Sequence, residues 1–389
     1  MSGRIAPPDR MISGAVILLL LLSMVMIGSA SLSVADVRYG DPLRIISHWL
    51  IYIPIGLAMA WAVSSVQPDW WRAASLSLLG LSLLLMITVL IFGVKINGAT
   101  RWFSLAGITL QPVEFFKPAI ILYMAYYMAA FPERLKNFSS GLAPMLVVLS
   151  IAIILLLIQP DFGNAALLVI VAFGMWFVGG VPIRHLLALV MAVVPIGLVA
   201  IIAEPYRAKR LFSFTDPWAD PFGSGYQLVQ SMIAFGSGGL TGSGLGQGVQ
   251  KLFYLPEAFT DFIAAVLAEE LGLAGTLTLI LLFALLIWRG LQIAMRAKEP
   301  FERLLVLGCI LLIAISCMIN LGAVMGILPT KGMPIPFFSY GGSALFGNCI
   351  LVGLILSVQR HQPENRPLGN RITEPRNSGR HHRANEAVV

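Results

Sequence analysis

Apolar runs of spanning length recur ten times along the chain, near residues 12–32, 46–64, 73–94, 112–130, 143–158, 163–180, 185–203, 261–288, 304–326 and 341–358. A bilayer crossing needs roughly 20 mostly apolar residues, so each run reads as a transmembrane helix. Short polar connections separate them, apart from one long loop at 204–260 and a polar tail. The pattern predicts an all-α, polytopic integral membrane protein of about ten transmembrane helices. A large extracellular loop lies between helices seven and eight. The domain covers 12–360, after a cytoplasmic segment at 1–11 and before a cytoplasmic tail at 361–389.

Two places in the pattern are ambiguous. Residues 143–180 are almost continuously apolar, interrupted only by QPDFGN at 159–164. A single kinked helix there would invert everything downstream, but Pro160 and Asp161 favour a tight turn between two helices. The first run has a basic lead, Arg4 and Arg10, like a signal peptide. Nine further spans follow it, and it reads as an uncleaved helix.

Composition agrees. The chain is 58% hydrophobic and 12% charged, with mean hydropathy +0.85, whereas soluble domains run nearer one-quarter charged. Cys309, Cys317 and Cys349 all fall inside predicted spans without metal-ligand spacing, which suits inert packing. Of the five histidines, His361, His381 and His382 lie in or beside the tail, leaving few for a triad or a zinc site.

Charge orients the chain. With the N-terminus inside, 16 of the 26 basic residues fall on one side and 10 on the other, and four of those 10 belong to the long loop. Basic residues in short loops mark the cytoplasmic side, which places both termini in the cytoplasm and residues 204–260 outside. The net charge of +7 comes largely from the arginine-bearing tail. Its lack of apolar periodicity predicts disorder, with anionic headgroups or a partner as its contacts. No folded basic module or aromatic interleaving accompanies it, so nucleic-acid binding has no support.

Polar chemistry gathers on the external side. Arg101 stands beside Trp102, and Glu114 and Lys117 are i,i+3 neighbours where the fourth span begins. They form either a structural ion pair or a charged floor under a pocket. Arg207, Lys209 and Arg210 follow the seventh span, at a depth suited to a lipid phosphate or to anchoring the helix end. FGSGGLTGSGLGQGVQ, residues 235–250, carries seven glycines but matches no nucleotide-binding fingerprint. In YLPEAFTDFIAAVLAEELG, residues 254–272, Pro256 suits a first helical turn. Alternatively the helix starts at Thr260, with Asp261 in its first turn near the positive dipole end. Glu269 and Glu270 lie deeper and need partners of their own. Lys331, in LPTKGMPIPFFSYGGS, sits where proline and glycine forbid a regular helix. Irregular backbone at membrane depth must face protein or a wet cavity. These loops predict one external cavity shared by Arg101, Glu114, Lys117, Arg210, Asp261 and Lys331.

Taken together, RWFSLAGITLQPVEFFKP, QPDFG, DPFGSGYQLVQS, LPEAFTDFIAAVLAEELG and PTKGMPIPFFSYGGS resemble the SEDS family of bacterial envelope polymerases over roughly residues 12–360. The PTKG segment resembles the division branch, FtsW-type, more than the elongation branch, RodA-type. The resemblance implies a ten-helix peptidoglycan glycosyltransferase of the inner membrane, at the division septum. It would polymerise lipid II, a disaccharide-pentapeptide on undecaprenyl pyrophosphate, into a growing glycan strand. A class B penicillin-binding transpeptidase and other division proteins are the implied partners. The family's essential aspartate corresponds to Asp261. One departure is Phe253, where members often carry an acid before Tyr-Leu-Pro.

The chemistry then assigns Asp261 as the general base that takes a proton from a sugar hydroxyl. Arg210 and Lys331, with Arg101 and Lys117 behind them, would face the leaving pyrophosphate, and Arg207 belongs to the substrate-binding set. A divalent cation, Mg or Mn, could assist, although no ligand set demands one. The residues alone leave two rivals open, a lipid II flippase and a scaffold that recruits the transpeptidase.

Overall fold

The computed structural model describes residues 6–96, 98–105, 108–202, 213–329 and 332–362. All ten apolar runs are helices: α1 Arg10–Tyr39, α2 Arg44–Ser65, α3 Pro68–Phe92, α4 Pro112–Ala130, α5 Ala143–Ile158, α6 Phe162–Val178, α7 Ile183–Ile202, and then, after the long loop, α9 Ile263–Arg296, α10 Pro300–Val324 and α11 Gly342–His361. An eleventh helix, α8 Tyr226–Gly238, lies within that loop. Among the described residues, seven helices are long and apolar enough on their own to cross a membrane. The loop after α3 holds a feature the hydrophobic pattern did not predict, an antiparallel sheet of β1 Val94–Ile96, β2 Ala99–Leu105 and β3 Ile108–Leu110 in the order β1-β2-β3.

The 159–164 interruption is a turn. α5 and α6 pack on one another, which one continuous helix could not do. Asp161 caps α6 through the backbone N–H of Asn164, and the Gln159 amide donates to the Met86 carbonyl on α3. Gln111, just before α4, donates to Asp161 at 3.3 Å. Four helix ends therefore meet at one face of the bundle.

The opposite face is tied as firmly. Asp9 caps α1 by accepting from the amides of Met11 and Ile12. The same carboxylate accepts from Arg289 Nε and Nη2 at 2.9 and 2.7 Å, near the end of α9. The Asp9 amide donates to Gln359 near the end of α11. Burial pushes the Asp9 carboxyl up, but the Arg289 guanidinium and the two capping amides outweigh it and hold it below the ordinary value. A lowered carboxyl contributes stability above its unfolded value and loses it as pH falls through the folded one, so this tie weakens only in acid.

The interior is close-packed. α2 lies against α11, α3 against α4, α1 against α9, and α10 against α4, α6 and α9. At the α2–α11 contact a Cβ on Gly353 would sit 2.7 Å from Val63 Cβ, and small residues allow such backbone approach where lipid supplies no hydrophobic drive.

One break interrupts α9. Gly272 has φ +62°, outside the helical region, and divides the helix into a short segment at 263–271 and a long one at 273–296. A Cβ at this position would lie 2.4 Å from the Gly242 amide nitrogen, so only glycine fits. Gly272→Ala is expected to cost at least ~1–3 kcal/mol of stability and to lower the melting temperature in detergent. Gly80→Ala, which has nothing within 4 Å of the added carbon, should leave it unchanged or raised.

Candidate functional site

A helix broken near the membrane leaves carbonyls and amides without helical partners, and the glycine-rich segment supplies them. The amides of Ser243 and Gly244 donate to the carbonyls of Glu269 and Glu270, while Leu273 and Ala274 donate to the carbonyls of Gly239 and Leu240. The two carboxylates bind the same segment from their side chains. Glu269 accepts from the amides of Val249 and Gln250. Glu270, fully buried, accepts from the Gly246 amide, from Ser29 on α1, and from Lys251 Nζ at 2.6 Å. Lys251 Nζ also donates to Ser29 Oγ. The partners these acids required are thus one lysine, one serine and a run of backbone amides. Sequence spacing gave no sign of Lys251 or Ser29, which lie 19 and 241 residues from Glu270.

This pinned segment leads into the stretch that carries Asp261. α9 begins at Ile263, so neither Pro256 nor Asp261 lies in its first turn. Residues 256–262 are turns instead. Glu257 has φ +57°, and its carbonyl accepts from the amides of both Thr260 and Phe262. The Asp261 carbonyl is taken by Asn320 Nδ2 of α10 at 2.9 Å, which removes it from the helical ladder. Asp261 itself is half-buried.

A shallow pocket opens beside it, lined by Asp261, Phe262, Ile319, Asn320, Ala323, Val324, Gly332 and Met333. Gly332, φ +53°, packs so tightly that a Cβ there would lie 3.0 Å from Asp261 Oδ2. The segment continues through Ile335, Phe337 and Phe338, all buried, to Tyr340, whose amide donates to the Phe259 carbonyl. The Tyr340 ring meets Phe259 and Trp49. Burial, with Tyr52 and Tyr39 adding, pushes the Tyr340 hydroxyl above its ordinary value, so it stays neutral.

The remaining predicted residues are placed as follows. Glu114 and Lys117 form a buried ion pair, Nζ to Oε1 2.7 Å, in the first turns of α4. Ser343 at the start of α11 accepts from the Gln111 amide and donates to the Thr109 carbonyl, so the 332–341 segment runs from the Asp261 pocket toward that pair. Arg101 commits Nε to the Gln159 carbonyl at 2.9 Å and Nη2 to the Pro160 carbonyl, and its guanidinium lies over Trp102. Arg101, Glu114 and Lys117 are not among the described walls of the Asp261 pocket. Arg207, Lys209, Arg210 and Lys331 lie outside the described residues. Among the described residues no group of three or more His, Cys, Asp or Glu side chains is placed to hold a metal ion.

Comparison with known proteins gives a consistent result. The model of the FtsW, RodA and SpoVE family, described as cell cycle protein, matches residues 9–364. A protein of Alkalilimnicola ehrlichii named probable peptidoglycan glycosyltransferase FtsW is 43% identical over 361 residues, 90% of each chain. Its namesake from Alcanivorax borkumensis is 45% identical over 90% of this chain and 92% of its own. Among solved structures, a chain of a peptidoglycan synthase complex that coordinates polymerization and crosslinking superposes with TM-score 0.76 at 28% identity, covering 91% of this chain and 99% of that one. The rod shape determining protein RodA of Thermus thermophilus superposes with TM-score 0.67 at 27% identity, covering 92% and 98%.

Removing one member of a buried ion pair leaves its partner uncompensated, at ~3–5 kcal/mol. Lys251→Met is therefore expected to reduce the yield of folded protein sharply. The double variant Lys251→Met, Glu270→Gln should recover part of the loss, read as monodisperse protein by size exclusion in detergent.

Proposed function

We propose, from the premise that this chain belongs to the FtsW, RodA and SpoVE family of cell cycle proteins, that it is a peptidoglycan glycosyltransferase polymerising lipid II with Asp261 as general base. One observation carries the reading: a half-buried carboxylate stands at the mouth of a pocket, on a non-helical segment held by α10 and by the 332–341 segment. A sugar hydroxyl is a poor nucleophile until its proton has an acceptor. The 4-hydroxyl of one lipid II sugar attacks the anomeric carbon of the growing strand, and its proton passes to Asp261. A carbon–oxygen bond forms, and the bond to pyrophosphate breaks with its electron pair leaving on undecaprenyl pyrophosphate. That leaving group carries its charge without full protonation, so a single base is enough.

The cations assigned to the leaving group are Arg210 and Lys331, with Arg207 behind them, because fixed positive charge beside developing negative charge lowers the barrier. Lys117, neutralised by Glu114, supports the floor near the start of α11. Arg101 holds the α5–α6 turn.

The protein is a multi-pass protein of the inner membrane. We assign both termini to the cytoplasm, residues 204–260 to the outside, and the site of action to the division septum, in keeping with a family described as cell cycle protein. A class B penicillin-binding transpeptidase is the partner. The exposed apolar side chains Phe222, Leu240, Leu252, Phe253 and Tyr254 in the long loop suit a protein contact on that side.

The test combines the purified chain, its transpeptidase and labelled lipid II in detergent, where a flippase has no bilayer to work across. Wild type is expected to make long glycan strands, and Asp261→Ala to lose ~10²–10⁴-fold in rate. Strands made by Asp261→Ala at the wild-type rate would remove Asp261 from the chemistry.

A further inference from the structure

The pocket beside Asp261 contains a side chain that the chemistry above does not use. Asn320 lies on α10, 4% exposed, one turn before the end of that helix. Its Nδ2 donates to two backbone carbonyls, that of Asp261 at 2.9 Å and that of Met333 at 2.5 Å. These carbonyls belong to the two segments that form the pocket mouth. Met333 follows Gly332, the residue pressed against the Asp261 carboxylate. One carboxamide therefore fixes the segment that bears the carboxylate and the segment that limits where it can point.

The other end of the same amide is unmet. Asn320 Oδ1 is buried and accepts no hydrogen bond among the described residues. Two carbonyl acceptors on the nitrogen side fix the orientation, because a flipped amide would set three oxygens against one another. A buried acceptor without a donor costs free energy and calls for an explanation. Leucine would fill the same space among Ile319, Ala323 and Val324 without that cost, so the value of the side chain lies in its two donated bonds.

We infer that Asn320 is a positioning residue for glycosyl transfer, acting through the backbone of Asp261 and Met333 to hold the base carboxylate at the pocket mouth. The inference rests on the reading of Asp261 as general base. Binding of lipid II depends on the wider external surface, whereas proton transfer depends on the placement of one carboxylate, and a displacement of about 1 Å can cost ~10²-fold in rate. The loss should therefore fall on kcat.

The experiment measures strand synthesis by the full chain with its transpeptidase, comparing wild type, Asn320→Leu, Asn320→Asp and Asp261→Ala. Asn320→Leu keeps the volume and removes both donors. Asn320→Asp keeps the shape and turns a carboxylate oxygen toward the two carbonyls, and it carries the test should the leucine variant not fold. Both are expected to lose ~10²-fold in kcat, with KM for lipid II and binding of the transpeptidase at wild-type values. Asn320 variants that keep the wild-type kcat, or that lose kcat, KM and partner binding together, would overturn the inference while Asp261→Ala stays inactive. An active Asp261→Ala would instead remove the reading beneath it.

Discussion

Backbone amides and carbonyls close to a membrane must find partners within the protein, because lipid offers none. Around Gly272 and Asp261, where the described chain departs from regular helix, it meets that demand with another segment of itself. The break at Gly272 is answered by the backbone of residues 239–244. The start of α9 gives up the Asp261 carbonyl to a side chain of α10. The irregular run after α10 closes on the Phe259 carbonyl through Tyr340. The pocket is what remains where these mutual commitments meet.

Buried charge follows the same rule. Glu269 and Glu270 hold down a glycine-rich strap with two carboxylates, several amides and one lysine. Glu114 is neutralised by Lys117 one turn away. Asp261 is half-buried and placed against glycine at a pocket mouth. A carboxylate at an opening can exchange a proton with a bound alcohol; Glu269 and Glu270, deep in the protein, cannot do so without breaking the structure around them. The two roles are separated by surroundings rather than by residue type.

Much of the architecture was legible from hydropathy, because a span needs only length and apolarity. The ten runs, the turn at Pro160 and Asp161, and the Glu114–Lys117 pair at i,i+3 are all local signals. Contacts between distant segments were not legible. Lys251 and Ser29 come from different parts of the chain, Asn320 from the last turns of an apolar helix, and each acquires its meaning only through tertiary packing. The sheet at 94–110 escaped notice because its strands are short and lie among charged residues. Helix rules are local and allow a start at Pro256 or at Thr260, whereas the capture of the Asp261 carbonyl from α10 is not local and leaves the helix to begin at Ile263.

The clasp at the other face has a consequence for biogenesis. Asp9 meets Arg289 and Gln359, so the start of the first helix is tied to residues synthesised 280 and 350 positions later. During insertion α1 holds its own cap but lacks both tethers, and the bundle stays open at that edge until α9 and then α11 arrive. Closure waits for α11, and a chain stalled before that helix differs from one that has passed it by the unlatched end of α1.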